Sequence, residues 1–166
     1  ARLPWLLIGM LGGIGNSMIL GNFDSTFAAH PEMALYIPLI GGTGGNVGTQ
    51  SSALVVQGLA NSSLNAENTF KQVLKESVVA LINATIISML VYIYNFIRFG
   101  ATATVSYSVS ISLFAVVMFA SIFGTLVPMT LEKLKIDPAI ATGPFISITN
   151  DIIGMMLYMG ITVLLS

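Results

Sequence analysis

The sequence predicts an all-α polytopic membrane protein with five transmembrane helices per subunit. Charged residues make up only 8% of the 166 positions and hydrophobic residues 55%, whereas an ordinary soluble domain has about 25% charged and roughly 45–50% apolar residues. The apolar residues also fall into long blocks, and each block reaches the ~20 residues that a membrane-spanning helix needs. Short polar segments separate the blocks, so we interpret residues 1–166 as one transmembrane domain of a longer protein.

The five predicted spans follow one another with short polar connections. The first is rich in glycine at small-xxx-small spacing, which allows helices to pack closely. The third follows Asn65 and Glu67, residue types that are common at helix N-termini. A charged turn precedes the fifth span. The predicted spans cover residues 3–23, 33–59, 73–96, 109–131 and 139–165.

Basic residues are distributed unequally between the two sides that five spans would create. One side would carry five basic residues and the other only Arg98. The five are Arg2, Lys71, Lys75, Lys133 and Lys135. Because cytoplasmic loops are enriched in Lys and Arg, we predict a multi-pass protein of the cell (inner) membrane. Its N-terminus would lie in the cytoplasm and its C-terminus outside.

Charge and cysteine content argue against several functions. Seven acidic and six basic residues give a net charge of −1, which does not favour a nucleic-acid partner. The sequence has no cysteine and a single histidine, His30, so thiolate sites are excluded and a histidine zinc site cannot form alone. No nucleophile with a histidine base is recognisable, and no second acid evidently pairs with Asp151. We therefore do not expect an enzyme.

The second predicted span contains a segment that a purely lipid-facing helix would not need. The segment reads PLIGGTGGNVGTQSSALVVQGLA, with five glycines within eight positions and with Asn46, Thr49 and Gln50 close by. Glycine lets another helix or a ligand approach the backbone. Polar or irregular backbone at membrane depth is tolerated only against protein or a water-filled cavity. The segment is therefore predicted to line a wet space, with backbone carbonyls freed around its glycines.

The fifth predicted span contains an acid at membrane depth. Asp151 lies about twelve residues into this span, or ~18 Å along a helix axis, near the bilayer midplane. An isolated aspartate there costs roughly 2.5–3.5 kcal/mol. Two interpretations are open: a carboxyl that holds two helices together by a hydrogen bond, or an ion site.

Polar residues in both spans recur at steps of three and four, which places them on one helix face. In the second span these are Thr43, Asn46, Gln50 and Gln57, and in the fifth Ser147, Asp151, Gly154 and Tyr158. The atoms that could bind a metal ion on these faces are all oxygens, as are the backbone carbonyls near Gly143 and Pro144. Oxygen ligands suit Mg²⁺ and Ca²⁺ rather than soft metals.

A single carboxylate per chain is too little for a complete protein cage around a divalent ion. Mg²⁺ gives up its waters reluctantly, so we expect it to pass largely hydrated. A two-fold homodimer, the commonest oligomeric symmetry, would bring two copies of Asp151 together and match the charge of the ion. An alternative is a cation-coupled secondary transporter, in which Asp151 binds a proton or Na⁺ and a glycine break acts as a hinge.

The glycine segment, together with DPAIATGPFISITNDIIGMMLYMGI near the C-terminus, resembles the transmembrane domain of the MgtE family of magnesium channels and transporters. The resemblance covers essentially the whole chain. It implies a homodimer of five-helix subunits in which a pore at the dimer interface is lined by the second and fifth helices. Asp151 would form the central ion site, with Ser147 as a further metal-site residue. The implied pore-lining residues are Gly44, Gly45, Asn46, Gly48, Gln50, Gly143 and Gly154.

The transported ion implied by the resemblance is Mg²⁺, and Mn²⁺, Co²⁺ and Ca²⁺ are further candidates for an all-oxygen path. Members of the family usually carry a cytosolic N-terminal domain and paired CBS domains. Neither is present in this sequence, and we expect such regulatory domains in the full-length protein. The sequence also departs from expectation at Asn150, where a small or apolar residue would be typical. We expect its amide to bond to Asp151 or to a neighbouring helix.

Overall fold

A computed structural model describes residues 2–100 and 104–165. Within these ranges the secondary structure is helical and no strand occurs, which confirms the predicted all-α class. Three 3₁₀ segments (Pro31–Tyr36, Ala66–Asn68 and Pro138–Thr142) separate some of the α-helices. The α-helices of the described ranges are α1 (Leu3–Gly21), α2 (Asp24–Ala29), α3 (Ile37–Ala60), α4 (Thr69–Phe99), α5 (Thr104–Lys133) and α6 (Pro144–Leu165).

In the described part of the chain, four helices are long and apolar enough to cross a bilayer, namely α1, α4, α5 and α6. This confirms a polytopic membrane protein. Helix α3 has 24 residues, which corresponds to ~36 Å at 1.5 Å per residue and is long enough to cross. Its glycines and amides lower its hydropathy, so α3 is not among the four. That it forms the second of five spans stays a prediction.

The helix that carries Asp151 begins later than the sequence suggests. Residues 138–142 form a 3₁₀ segment, and Gly143 is extended, with φ −94° and ψ −154°. Pro144 then starts α6, because proline suits the first turn of a helix and forces the preceding residue out of the helical region. Asp151 is consequently the eighth residue of α6, not about the twelfth residue of a helix that starts at residue 139.

Helix α5 lies at the centre of the subunit and packs against α3, α4 and α6. Its fully buried side chains Val109 and Leu113 belong to one apolar core with Ile40 of α3 and Met155 of α6. Polar side chains of α5 are partly satisfied within the helix, since the hydroxyl of Thr125 donates to the carbonyl of Ser121 at 2.9 Å. The core therefore fixes α3 and α6 relative to each other through α5.

Close backbone contact between α3 and α5 depends on glycine. A Cβ atom added at Gly124 of α5 would lie 2.7 Å from the carbonyl oxygen of Gly48, and one added at Gly44 would lie 2.8 Å from Cγ1 of Val116. Both distances are shorter than a methyl group tolerates. Helix α3 nevertheless runs without interruption through all of its glycines. The expectation that these glycines free backbone carbonyls is therefore wrong, because α3 stays an intact helix, and Gly44 and Gly48 serve its close packing.

Two tyrosines anchor the segment that precedes α3. The hydroxyl of Tyr158 in α6 donates to the carbonyl oxygen of Met33 at 2.8 Å. The hydroxyl of Tyr36 donates to Oδ1 of Asn95 in α4 at 2.6 Å, and the amide of Asn95 donates to the carbonyl of Val105 at 3.4 Å. All these groups are buried, so the bonds avoid the cost of unpaired polar atoms in the interior. They hold the N-terminal end of α3 against α4, α5 and α6.

Candidate functional site

A polar groove with a volume of about 590 Å³ lies between α1, α3 and α6. Its wall combines backbone-exposing glycines, amide and hydroxyl groups, and one carboxylate. We call it the α1–α3–α6 groove. The residues that line it are Asn16, Ile37, Gly41, Gly42, Gly45, Asn46, Thr49, Gln50, Ser147, Asp151 and Met155.

Five of the predicted metal-site and pore-lining residues meet in this groove. Helix α6 contributes Ser147 and Asp151, which are one helical turn apart and so lie on one face. Helix α3 contributes Gly45, Asn46 and Gln50. The central packing of α5 positions the two helices so that both polar faces border the same space.

The carboxylate of Asp151 faces the glycines of α3. A Cβ atom added at Gly41 would lie 3.7 Å from Oδ1 of Asp151, and one added at Gly45 would lie 4.0 Å from the same atom. Larger residues at these positions would extend into the space in front of the carboxylate. The absence of side chains here leaves room for a ligand beside Asp151.

Asp151 is half-buried, and within the described residues its side chain forms no hydrogen bond or ion pair. A carboxyl that ties two helices together would be bonded to the second helix, and Asp151 has no such bond within the described residues. Among the described residues, no group of three or more His, Cys, Asp or Glu side chains could hold a metal ion. One subunit therefore offers the groove a single negative charge surrounded by neutral oxygen donors.

The other sequence-predicted pore residues lie elsewhere in the subunit. Gly44 and Gly154 are buried against Val116 of α5, and Gly48 is buried against α5 and α6. Gly143 occupies the bend before α6, where an added Cβ would lie 3.7 Å from the carbonyl of Ile140.

Asn150 occupies an unexpected environment. It is only 2% exposed, and its amide lies against Gly48 of α3, where even a methyl group on the glycine would collide with it. Both amide atoms lack a hydrogen-bond partner. The expected bond from Asn150 to Asp151 or to a neighbouring helix is therefore not formed. The side chain instead fills the space that Gly48 leaves between α3 and α6.

Sequence reasoning missed one polar residue of the groove, Asn16 of α1. The signal was present, because Asn16 is a lone carboxamide in an otherwise apolar helix with only Ser17 as a polar neighbour. A single polar residue has no periodic partner on its own helix, so periodicity could not assign it to a site. Its place became apparent only from the packing of α1 on α6.

Comparison with known proteins shows the family of this chain. Residues 37–161 match the family model of MgtE, described as a divalent cation transporter. The chain is 34% identical over 160 residues to the magnesium transporter MgtE of Bacillus subtilis, covering 96% of this chain and 35% of that protein. It is 33% identical over 165 residues to the magnesium transporter MgtE of Thermus thermophilus, with 99% and 36% covered. A third relative, from Enterococcus faecalis and of the same name, is 29% identical over 160 residues.

The chain spans about a third of the length of these curated relatives. The match nevertheless includes both the glycine segment of α3 and the Asp151 region of α6, because the family model extends from residue 37 to residue 161. The resemblance seen in the sequence is thus confirmed, and the chain belongs to the MgtE family of divalent cation transporters.

Proposed function

We propose that this chain forms the transmembrane pore of a Mg²⁺ channel, in which hydrated divalent cations pass along the α1–α3–α6 groove. The observation that carries the proposal is the position of Asp151. It is the one acid in the wall of the groove, and it faces the open space beside Gly41 and Gly45. A negative charge surrounded by neutral oxygen donors attracts a hard cation without enclosing it.

The groove supports a homodimer as the functional unit. Asn46, Thr49 and Gln50 are exposed in the isolated subunit, and lipid cannot satisfy such polar groups at membrane depth. A second copy related by a two-fold axis would cover them and enclose the groove between two identical walls. The two Asp151 side chains would then supply two negative charges, which balance one divalent ion.

The size of the groove supports passage of an ion with its waters. A water molecule occupies about 30 Å³ in the liquid, so six waters around Mg²⁺ need on the order of 200 Å³. The groove of one subunit has a volume of about 590 Å³, which exceeds this requirement. Asp151, Ser147 and the amides of Asn46 and Gln50 would accept hydrogen bonds from the waters of the ion. Such indirect contact also keeps binding weak enough for the ion to leave.

The competing hypothesis is a cation-coupled secondary transporter with a hinge at the glycines of α3. Transporters of that kind bind their ions at discontinuous helices, whereas α3 is one continuous helix from Ile37 to Ala60. The structure thus lacks the break on which the transporter hypothesis relied. Electrical recording from a reconstituted bilayer distinguishes the two, because resolvable single-channel currents driven by Mg²⁺ exceed what a carrier cycle delivers.

Hexaamminecobalt(III), whose ammine shell does not exchange, should bind in the groove and inhibit Mg²⁺ uptake. It resembles hydrated Mg²⁺ in size and presents N–H donors where the hydrated ion presents water. Uptake is measured in proteoliposomes with a fluorescent Mg²⁺ indicator, and binding by calorimetry. We expect the Asp151→Asn variant to lose the binding. If the complex neither binds nor inhibits while Mg²⁺ passes normally, the ion must shed its waters, and the hydrated pathway is wrong.

Cross-linking tests whether two grooves face each other. The chain has no cysteine, so Asn46→Cys introduces a single thiol in the wall of the groove. A short bifunctional maleimide should convert this variant to a covalent dimer, visible by gel electrophoresis. Ile86→Cys provides the matched control, since Ile86 is 52% exposed on α4 and lies outside the groove. Equal cross-linking of both variants, or of neither, would contradict a dimer that is closed over the groove.

A further inference from the structure

Helix α1 reaches the groove through a glycine contact with α6. A Cβ atom added at Gly12 would lie 2.6 Å from Cγ2 of Ile148, so the α1 backbone passes close to α6 at this point. Asn16 lies four residues beyond Gly12 and therefore on the same face of α1, one turn further along. The contact thus brings Asn16 to the groove, where it shares the wall with Ser147 and Asp151.

The amide oxygen of Asn16 is buried and has no hydrogen-bond partner. A buried acceptor without a donor is unfavourable, and in an apolar helix the backbone cannot supply the missing bond because its N–H groups are used within the helix. The space next to this amide is the groove itself. Asn16 lines this space, and a half-turn of its terminal amide exchanges the oxygen and nitrogen with little change in shape. The half-turn presents the oxygen to the groove, where water can reach it, and buries the N–H₂ group in its place.

We propose that Asn16 lines the ion path and accepts a hydrogen bond from a water molecule in the shell of the cation held at Asp151. This inference rests on the proposed channel function and gives α1, beside α3 and α6, a direct contact with the hydrated ion. The waters of a divalent cation are strongly polarised and donate well to a neutral acceptor. A neutral amide bonds to the hydration shell without adding a charge. A second negative charge in each subunit would hold the ion too tightly for conduction.

The role of Asn16 is tested by two substitutions, one that removes the amide and one that replaces it with a carboxylate. The half-saturating Mg²⁺ concentration for uptake into proteoliposomes should rise about fivefold in Asn16→Leu, as expected for loss of one water-mediated contact. In Asn16→Asp it should fall by at least about fivefold, with a lower maximal rate, because the added charge binds the ion more tightly. Ser17→Leu is the matched control, since Ser17 is exposed on α1 and lies outside the groove.

The charged variant separates a role in the ion path from a role in packing. If Asn16 only packed α1 against α6, Asn16→Asp would lower thermal stability in detergent without tightening Mg²⁺ binding. Should Asn16→Leu not yield folded protein, Asn16→Ala removes the same amide without added bulk and has the same expected result. Unchanged half-saturation in the Leu or Ala variant and in the Asp variant overturns the proposal for Asn16, provided that Asp151→Asn is inactive. Normal uptake by Asp151→Asn instead overturns the proposed channel site itself.

Discussion

Replacing Asp151 with asparagine should reduce Mg²⁺ transport by at least about 100-fold. The substitution keeps the shape of the side chain and removes the one charge in the wall of the groove. Because the carboxylate makes no hydrogen bond or ion pair within the described residues, the fold should not depend on it. We therefore expect a folded, dimeric protein that neither transports nor binds the ion. Asp151→Ala should have an equal effect, with uptake into proteoliposomes and size-exclusion chromatography as the measurements.

The control for Asp151→Asn is Glu132→Gln, which changes another carboxylate to an amide. Glu132 is exposed at the end of α5 and lies outside the groove. Its replacement should leave the transport rate within about a factor of two of the wild type, since isolated surface charges contribute little. Wild-type Mg²⁺ uptake by Asp151→Asn would show that the acid is not the ion site.

A valine at position 45 should block transport with comparable severity. Gly45 lines the groove, and an added Cβ would lie 4.0 Å from Oδ1 of Asp151. The two methyl groups of valine would extend further into the space in front of the carboxylate and displace the waters of a hydrated ion. Among the described residues the added Cβ meets only the tip of the Asp151 side chain, at an ordinary contact distance, so the subunit itself should fold. Mg²⁺ uptake and bilayer recording should both fall to the level of protein-free membranes.

Gly160→Val is the matched control for Gly45→Val. An added Cβ at Gly160 meets nothing within 4 Å, and nine residues of helix place it on the side of α6 opposite Asp151. The added bulk at this position should leave transport near the wild-type level. A conducting Gly45→Val protein would mean that the open space beside Asp151 is not part of the ion path.

The helical membrane fold was predictable because it depends on composition and on the length of apolar blocks. Both properties are averages over many residues, so single exceptions do not disturb them. The ends of the helices were less predictable than the fold, since the start of α6 is determined by one residue, Pro144. The assignment of α3 as a span was ambiguous for a related reason. The glycines and amides that lower its apolar character are also the residues that border the groove.

The chemistry of the candidate site was more predictable than its geometry. Helical periodicity brought Ser147 and Asp151 onto one face, and the structure places both in the groove. Periodicity could not separate Gly45, which lines the groove, from Gly44 and Gly48, which pack inside the subunit. Which glycines of α3 face the groove depends on how α3 packs against α5 and α6. Asn16 was missed because its assignment requires knowing that α1 lies on α6.

The packing of α1 has a consequence for biosynthesis. None of the 19 residues of α1 is buried, and the helix packs against α6, which begins only at Pro144. When the ribosome delivers α1 to the membrane, its partner has not yet been synthesised, and α1 must reside in lipid by its own hydrophobicity. Asp151 enters the membrane only with α6. The groove therefore assembles only after α6 has been synthesised, and a nascent chain that stalls before α6 lacks one wall and the carboxylate of the proposed ion path.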